Sequence, residues 1–441
     1  MRILIIGAGQ VGYSIAESLS EAHQIVVMDI NPDRVSELTY SLDVLAICGD
    51  GNDLNNLEEV GLVDMIIACT NDDEKNLIAC ESSKLIGETF TVARVKNSTL
   101  FESWSRSIGA FGVDFMACSD RLTAETIVNI AGIPAALDAD SFAGGKVQMA
   151  EFEVTEDSAL VNQTVSEADQ FASLTFAAII MEDQIVIPSG STKIPIGSRL
   201  VVIGTPESVQ KFSSVIKPTT NKTENIAILG GSNISAEIAS IFSTRGMKPT
   251  LMTADRDLSI KLAEKLPNTV VMCHDVTDIE FLKSENIIQA DLVVIHLDSD
   301  EETLLVSLLV KQLGASRVAS IINSGDYVSL FENVGIDVAV NPREVTAEAL
   351  IHFTHNVNTK RVAILDSNRV EILEIEIDSN SKLSGRNVKA ITADMPASVV
   401  IGAIVRDGQV LAPRGDTMIQ YQDNIVILVD VSVLDNILKQ L

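Results

Sequence analysis

The sequence predicts an α/β protein built by duplication, each copy a Rossmann-type doubly wound parallel sheet followed by a small α+β domain. Three observations carry this prediction. The chain repeats itself: Ile5-Ile6-Gly7-Ala8-Gly9 returns as Ile228-Leu229-Gly230-Gly231-Ser232, an offset of 223 residues from Gly7 to Gly230. Cys48 through Asp53 returns as Cys273 through Asp278, and Gly112-Val113-Asp114 followed by Thr123-Ala124-Glu125 returns as Gly335-Ile336-Asp337 followed by Thr346-Ala347-Glu348. Within each copy, short β-branched runs alternate with helical patterns, the signature of βαβ units on a parallel sheet. Finally, a glycine-rich loop directly follows the first apolar run and opens a helix.

In the first copy the strands are expected at Arg2–Ile6, Gln24–Asp29, Val44–Cys48, Met65–Cys69, Thr91–Val95 and Phe115–Ala117. Six strands in this rhythm make one doubly wound sheet. The smaller domain that follows reads as a strand over Gln148–Val154, a polar helical stretch, a hairpin over Ala177–Ile187, a strand over Arg199–Gly204 and a closing helix. Its repeat has strands at Val370–Ile377 and Asn424–Val429 and a hairpin at Gly402–Leu411. The polar, proline-bearing stretch Lys217–Glu224 is the expected linker between the halves. The expected domains are therefore 1–133, 134–218, 223–352 and 353–441, in the order large, small, large, small.

A bare GxGxxG is a weak signal, but here the context narrows it. Gly7-Ala8-Gly9-Gln10-Val11-Gly12 precedes a helix whose apolar positions Val11, Ile15, Ala16 and Leu19 recur at helical spacing. Gly7 permits the tight turn, Gly9 lets a phosphate approach the backbone, Gly12 lets the helix pack on the sheet, and the helix N-terminus attracts an anion. Asp29 ends the second strand about twenty residues on, where a carboxylate accepts ribose hydroxyls and repels a 2′-phosphate. NAD(H), or a mononucleotide such as ATP, is favoured over NADP(H). Asp50, in the Gly49-Asp50-Gly51 turn, is placed to take the adenine amino group, although the turn alone accounts for an aspartate there. Thr70 and Asn71 follow the fourth strand. Arg94, alone among apolar residues on the fifth, needs a phosphate or a buried carboxylate as partner.

The second copy replaces Gly9 by Ser232, Gly12 by Ser235, Asp29 by Thr253 and Arg94 by Ile321. Joint loss is expected of residues that formed one site, whereas residues required by the fold alone would be kept in both copies. The second loop is expected not to hold NAD, although Asp255 and Asp275 leave a different ligand open.

Composition excludes several classes of function. Its 441 residues are enough for two to four domains at roughly 100–200 residues each. The 61 acidic and 32 basic side chains give a formal charge of -29, which repels nucleic acids and anionic lipid, and no local Lys/Arg cluster compensates. No apolar run reaches about 18 residues and the N-terminus lacks the features of a secretory leader, so a cytoplasmic protein is expected. The five cysteines lack CxxC spacing and are expected to be buried thiols. Of five histidines, only His23 lies in the intact copy, away from the nicotinamide end, and the His352/His355 pair has no metal-ligand spacing around it. A dehydrogenase needs an acid or base near the nicotinamide. The expectation is therefore no enzyme and no metal; a nicotinamide oxidoreductase or a stand-alone nucleotide sensor are the alternatives.

At this point the sequence resembles the TrkA-like regulatory subunits of Trk-type potassium uptake systems, built from tandem RCK (KTN) domains. The resemblance rests on Gly7–Gly12, Asp29, the Gly49-Asp50-Gly51 turn, Ala68 through Glu74 leading into Asn76, Val92-Ala93-Arg94, and Ile401 through Arg406 in the last hairpin. It spans essentially the whole chain. It implies a cytoplasmic protein, peripheral on the inner face of the membrane, that forms a homotetrameric gating ring beneath an integral potassium channel subunit. It further implies that NAD(H), or ATP/ADP in the same place, is held by Gly7 through Val11, Asp29, Thr70, Asn71 and Arg94. The departures at Ser232, Ser235 and Thr253 put a second nucleotide in doubt.

Overall fold

The structure is a computed structural model describing residues 1–107, 109–171, 173–181, 184–217, 225–355, 359–365, 370–378, 381–396, 398–434 and 437, with backbone alone for 352–355, 359–365 and 432. The linker reading falls largely on 218–224, outside the described residues, and the His352/His355 reading falls where only backbone is described.

The first large sheet is formed by β1 (Arg2–Ile6), β2 (Gln24–Asp29), β3 (Leu45–Cys48), β4 (Met65–Ala68), β5 (Phe90–Val95) and β6 (Phe115–Cys118). They run parallel in the order β3-β2-β1-β4-β5-β6, so the order reverses between β1 and β4 and opens a crevice at the strands' carboxyl ends. Side chains alternate between faces: Ile3 and Ile5 join Val11, Ile15 and Leu19 in one cluster, while Leu4 and Ile6 join Val26, Met28 and Trp104 in another. Both faces are covered, which is why these strands read as unbroken apolar runs.

The first small domain contains β7 (Ala136–Phe142), β8 (Val147–Glu153), β9 (Leu174–Met181), β10 (Gln184–Val186) and β11 (Arg199–Gly204), in the order β10-β9-β11-β8-β7. The second large sheet repeats the first, with β12 (Ile226–Leu229), β13 (Thr250–Thr253), β14 (Val270–Cys273), β15 (Leu292–Ile295), β16 (Val318–Ile321) and β17 (Val338–Val340). Its order is β14-β13-β12-β15-β16-β17. The last sheet, β18 (Thr359–Leu365), β19 (Val370–Glu376), β20 (Val399–Arg406), β21 (Gln409–Leu411) and β22 (Asn424–Asp430), repeats the first small one as β18-β19-β22-β20-β21. Sequence reading missed β7 and β18. The first is an edge strand carrying Asp138 and Asp140, so it shows no apolar alternation.

The chain order large-small-large-small is not the spatial grouping. Two compact units form, Met1–Glu125 with Asn225–Thr354 and Thr126–Glu224 with His355–Leu441, so like packs with like. In the first unit, the helix Pro342–His355 of the second large domain sends Ala347, Leu350 and Ile351 into the first domain's core beside Val11 and Ile15. In the other unit, the small sheets share a core that includes Phe142, Met149, Ile203, Ile372 and Leu428, and Thr175 donates to the Gly402 carbonyl at 2.8 Å.

All five cysteines are free thiols. Cys69, Cys80 and Cys118 are buried as expected, but Cys48 and Cys273 are exposed, because each ends an edge strand with a solvated side. Among the described residues, no helix is long and apolar enough to cross a membrane and no cluster of metal-ligating side chains forms.

Candidate functional site

The crevice at the β1/β4 switch point encloses about 520 Å³, within the size range of small-molecule sites. Its floor is the glycine loop. Gly7 has φ +108, a conformation that L side chains rarely adopt, and its N–H donates to the Met28 carbonyl at 2.8 Å. A Cβ on Gly12 would lie 1.8 Å from the Gly7 carbonyl oxygen, so only glycine lets the helix close on the loop. At Gly9 the nearest atom to such a Cβ is Arg34 Nη1, 3.9 Å away. Space over Gly9 is open where an anion would approach the helix N-terminus.

Asp29, buried at the end of β2, accepts the Ala8 N–H at 2.6 Å on one oxygen and the Asn31 N–H at 2.8 Å on the other. It therefore clamps the loop as well as lining the crevice. Asp50 is exposed on the rim, and one of its oxygens accepts from the Asn52 backbone and side chain at 3.0 and 3.1 Å, closing the turn. Across the crevice the segment after β4 is fixed by the fully buried Asn76. Its amide oxygen accepts the Thr70 N–H at 2.9 Å and hydroxyl at 2.7 Å, and its amide nitrogen donates to the carbonyls of Thr70 at 3.1 Å and Arg94 at 2.8 Å. One side chain thus registers the β4 loop against β5.

Arg94 is buried, and its guanidinium donates to Ser119 Oγ at 2.9 Å and, at the long limit, to Asn71 Oδ1 at 3.5 Å. Among the described residues it forms no ion pair. Burial pulls its pKa below the usual arginine value, and the positive charge of Arg343 adds to that pull. Such a cation calls for an anion. Of the predicted site residues, Gly7, Gly9, Gln10, Val11, Asp29, Asp50, Thr70, Asn71 and Arg94 line this one crevice. Ala8 does not; it faces an adjoining cavity and its N–H is taken by Asp29. Gly12 is buried in the loop–helix contact.

Sequence reading missed three more cations on the wall, Arg34, Lys75 and Arg343. Arg34 Nη1 stands 3.8 Å from Asp29 Oδ2, and Arg343 belongs to the second large domain. No local cluster marks them in the sequence; the fold gathers them, so that in a chain of net charge -29 four cations, with Arg94, and three aspartates, Asp29, Asp50 and Asp72, line one crevice.

The corresponding loop of the second domain is closed on itself. Gly230 donates to the Met252 carbonyl as Gly7 does to Met28, which confirms the equivalence of the two loops. There Ser232 caps the helix by accepting the Ser235 N–H at 3.1 Å, and its hydroxyl meets His296 Nδ1 at 2.7 Å. The helix N-terminus that would receive a phosphate is occupied by the protein's own hydroxyl. His296, whose pKa burial lowers, stands where the first copy has Cys69: each takes its N–H to the carbonyl ending the central strand. Thr253 pairs with Cys273 as Asp29 pairs with Cys48, and Ile321 with Val340 as Arg94 with Ala117. The expected replacements are thus the structural ones.

The TrkA-N domain family matches residues 3–114 and 226–342, and the TrkA-C domain family matches 149–217 and 372–441. The Trk system potassium uptake protein TrkA homolog 1 of Methanosarcina mazei is 34% identical over 436 residues, covering 97% of each chain. The crystal structure of the GsuK RCK domain superposes with a TM-score of 0.62 at 18% identity, covering 100% of this chain and 94% of that one. A GsuK channel structure bound to NAD superposes at 0.61, also at 18% identity, covering 100% of this chain and 78% of that one. These two likenesses establish the shared RCK fold.

Proposed function

The chain belongs to the TrkA family of Trk-system potassium uptake proteins, a regulatory and non-enzymatic family, and from that premise we propose that it is a nucleotide-sensing subunit that gates an integral Trk-type potassium channel subunit. The single observation carrying this reading is the contrast between an open, cation-lined crevice around an intact glycine loop in the first domain and a self-capped loop in the second. NAD(H), or ADP or ATP in its place, rests its phosphates on the backbone from Gly7 to Val11. Asp29 takes the ribose hydroxyls, since each of its oxygens accepts one backbone N–H and has capacity for another. Asp50 faces the adenine, and Thr70, Asn71 and Arg94 hold the far side. The domains are 1–133, 134–218, 223–352 and 353–441, of which the third binds no NAD.

Gating requires that nucleotides differ in affinity for two arrangements of the protein, and the shift cannot exceed that difference. The elements able to supply it are the glycine loop and the Thr70–Asn76 segment, which a bound nucleotide touches together. Four chains form a ring at the inner face of the membrane, held there by the channel subunit. Potassium flux into vesicles containing that subunit tests the proposal. Wild-type protein makes flux depend on nucleotide, and Gly9→Asp, which sets a carboxylate in the phosphate path, abolishes the dependence. Flux identical with wild type, with the variant and without either would overturn it.

A further inference from the structure

The helix Pro342–His355 belongs to the second large domain, yet its stripe of Ala347, Leu350 and Ile351 is anchored in the first domain's core. That spacing lays one helical face on the first domain and brings the helix start over the foreign glycine loop. Arg343, in the first turn, donates from its guanidinium to the Gln10 side chain and lines the crevice. Among the described residues it forms no ion pair, although its domain offers Asp326 and Glu344 nearby in the adjoining cavity. Two guanidinium groups, those of Arg94 and Arg343, therefore line the same crevice from different domains with no carboxylate paired to either. Three aspartates, Asp29, Asp50 and Asp72, share the crevice wall with them, and among the described residues none forms an ion pair with either arginine.

A second cavity of about 540 Å³ adjoins the crevice, with Gly9, Gln10, Arg34 and Arg343 on the walls of both. A phosphate chain seated over Gly9 lies beside Gln10 and Arg343, which line both cavities. A dinucleotide makes different use of this region, because its two phosphates are flanked by nucleosides and neither carries a free terminal dianion.

We propose that Arg343 binds the terminal phosphate of a nucleoside di- or triphosphate seated in the first domain's crevice, and so selects ADP and ATP over NAD. This rests on the nucleotide reading above. The contact joins the two large domains through the ligand, so that occupancy of one site is felt by the domain that lost its own. A guanidinium suits the task, since it is charged at any physiological pH and donates two parallel hydrogen bonds to phosphate.

Calorimetric titration of the full chain with ADP, ATP, AMP and NADH tests the assignment. Arg343→Gln is expected to weaken ADP and ATP by roughly ten- to a hundredfold, leaving NADH and AMP within roughly twofold. Arg343→Lys, which keeps the charge but not the paired donors, is expected to bind ADP and ATP with affinities between those of wild type and Arg343→Gln. Loss of affinity for all four ligands alike would make Arg343 structural, and unchanged ADP affinity would remove its role; either overturns the proposal. Hydrogen exchange on the wild-type protein is independent of any variant's folding: ADP and ATP slow exchange in residues 342–351, and AMP and NADH do not. Equal slowing by all four would also overturn it. Wild-type protein that binds none of the four refutes the nucleotide reading itself, a result distinct from these.

Discussion

The carboxylate of Asp29 accepts the backbone N–H of Ala8 at 2.6 Å, tying the end of β2 to the middle of the glycine loop. Asp29→Ala therefore removes two things, a ribose acceptor and the clamp that shapes the loop. Nucleotide affinity should fall by about 1–3 kcal/mol, measured by calorimetry, because ligand hydroxyls and a buried N–H lose their acceptor. Asp29→Asn keeps one acceptor oxygen and should lie between wild type and Asp29→Ala in both affinity and melting temperature. Equal affinity in all three proteins would exclude Asp29 from the site.

The glycines of the loop separate folding from binding. A methyl group at Gly12 would overlap the Gly7 carbonyl, so Gly12→Ala should cost about 1–3 kcal/mol or more in denaturant unfolding. Gly9 has extended backbone, φ -76, and open space beside it. Gly9→Asp should thus melt near wild type while binding nucleotide at least about a hundredfold more weakly, through bulk and charge repulsion. Reversal of the two outcomes would mean the loop's roles have been exchanged.

Strands with two covered faces were legible because burial writes itself locally: β1, β2 and β11 fall where their apolar runs predict. The glycine loop and Asp29 were legible for the same reason, being fixed by backbone geometry at a set distance along the chain. Arg343 was not, because what brings it to Gln10 is the packing of Leu350 and Ile351 on another domain more than 300 residues away in sequence. His296 escaped likewise: nothing near it in sequence announces a bond to Ser232. The pairing of large domain with large domain is also invisible to a reading that proceeds along the chain.

Asp120 occupies, after β6, the place that Arg343 occupies after β17, with the opposite charge. Burial, with Asp73 and Glu237 adding repulsion, raises its pKa to about 6 against the lowering pull of Lys96 and Arg94. The folded state therefore holds the proton longer than the unfolded chain, whose value is near 3.8. Unfolding free energy must fall as pH rises from that value through about 6. Urea unfolding at roughly pH 5 and pH 7 should show this loss in wild type, and the loss should be smaller in Asp120→Asn. An Asp120→Asn protein with the wild-type pH slope would show that the charge is relieved in some other way.

Stoichiometry is the sharpest test of the duplicated design. In the second domain Ser232 already fills the helix N-terminus, Thr253 offers no carboxylate and Ile321 no charge, so calorimetry should count one nucleotide per chain. Ser232→Gly removes only the cap. The lost cap should cost only about a few tenths of a kcal/mol, as the Ser235 N–H loses its acceptor, and His296 loses its partner, without creating a second binding event. Adding Thr253→Asp and Ile321→Arg restores the acid and the cation, and only then should a weak second event emerge. Two tight sites in the wild-type chain would mean that a phosphate displaces the serine hydroxyl, and that the cap is a gate and not a plug.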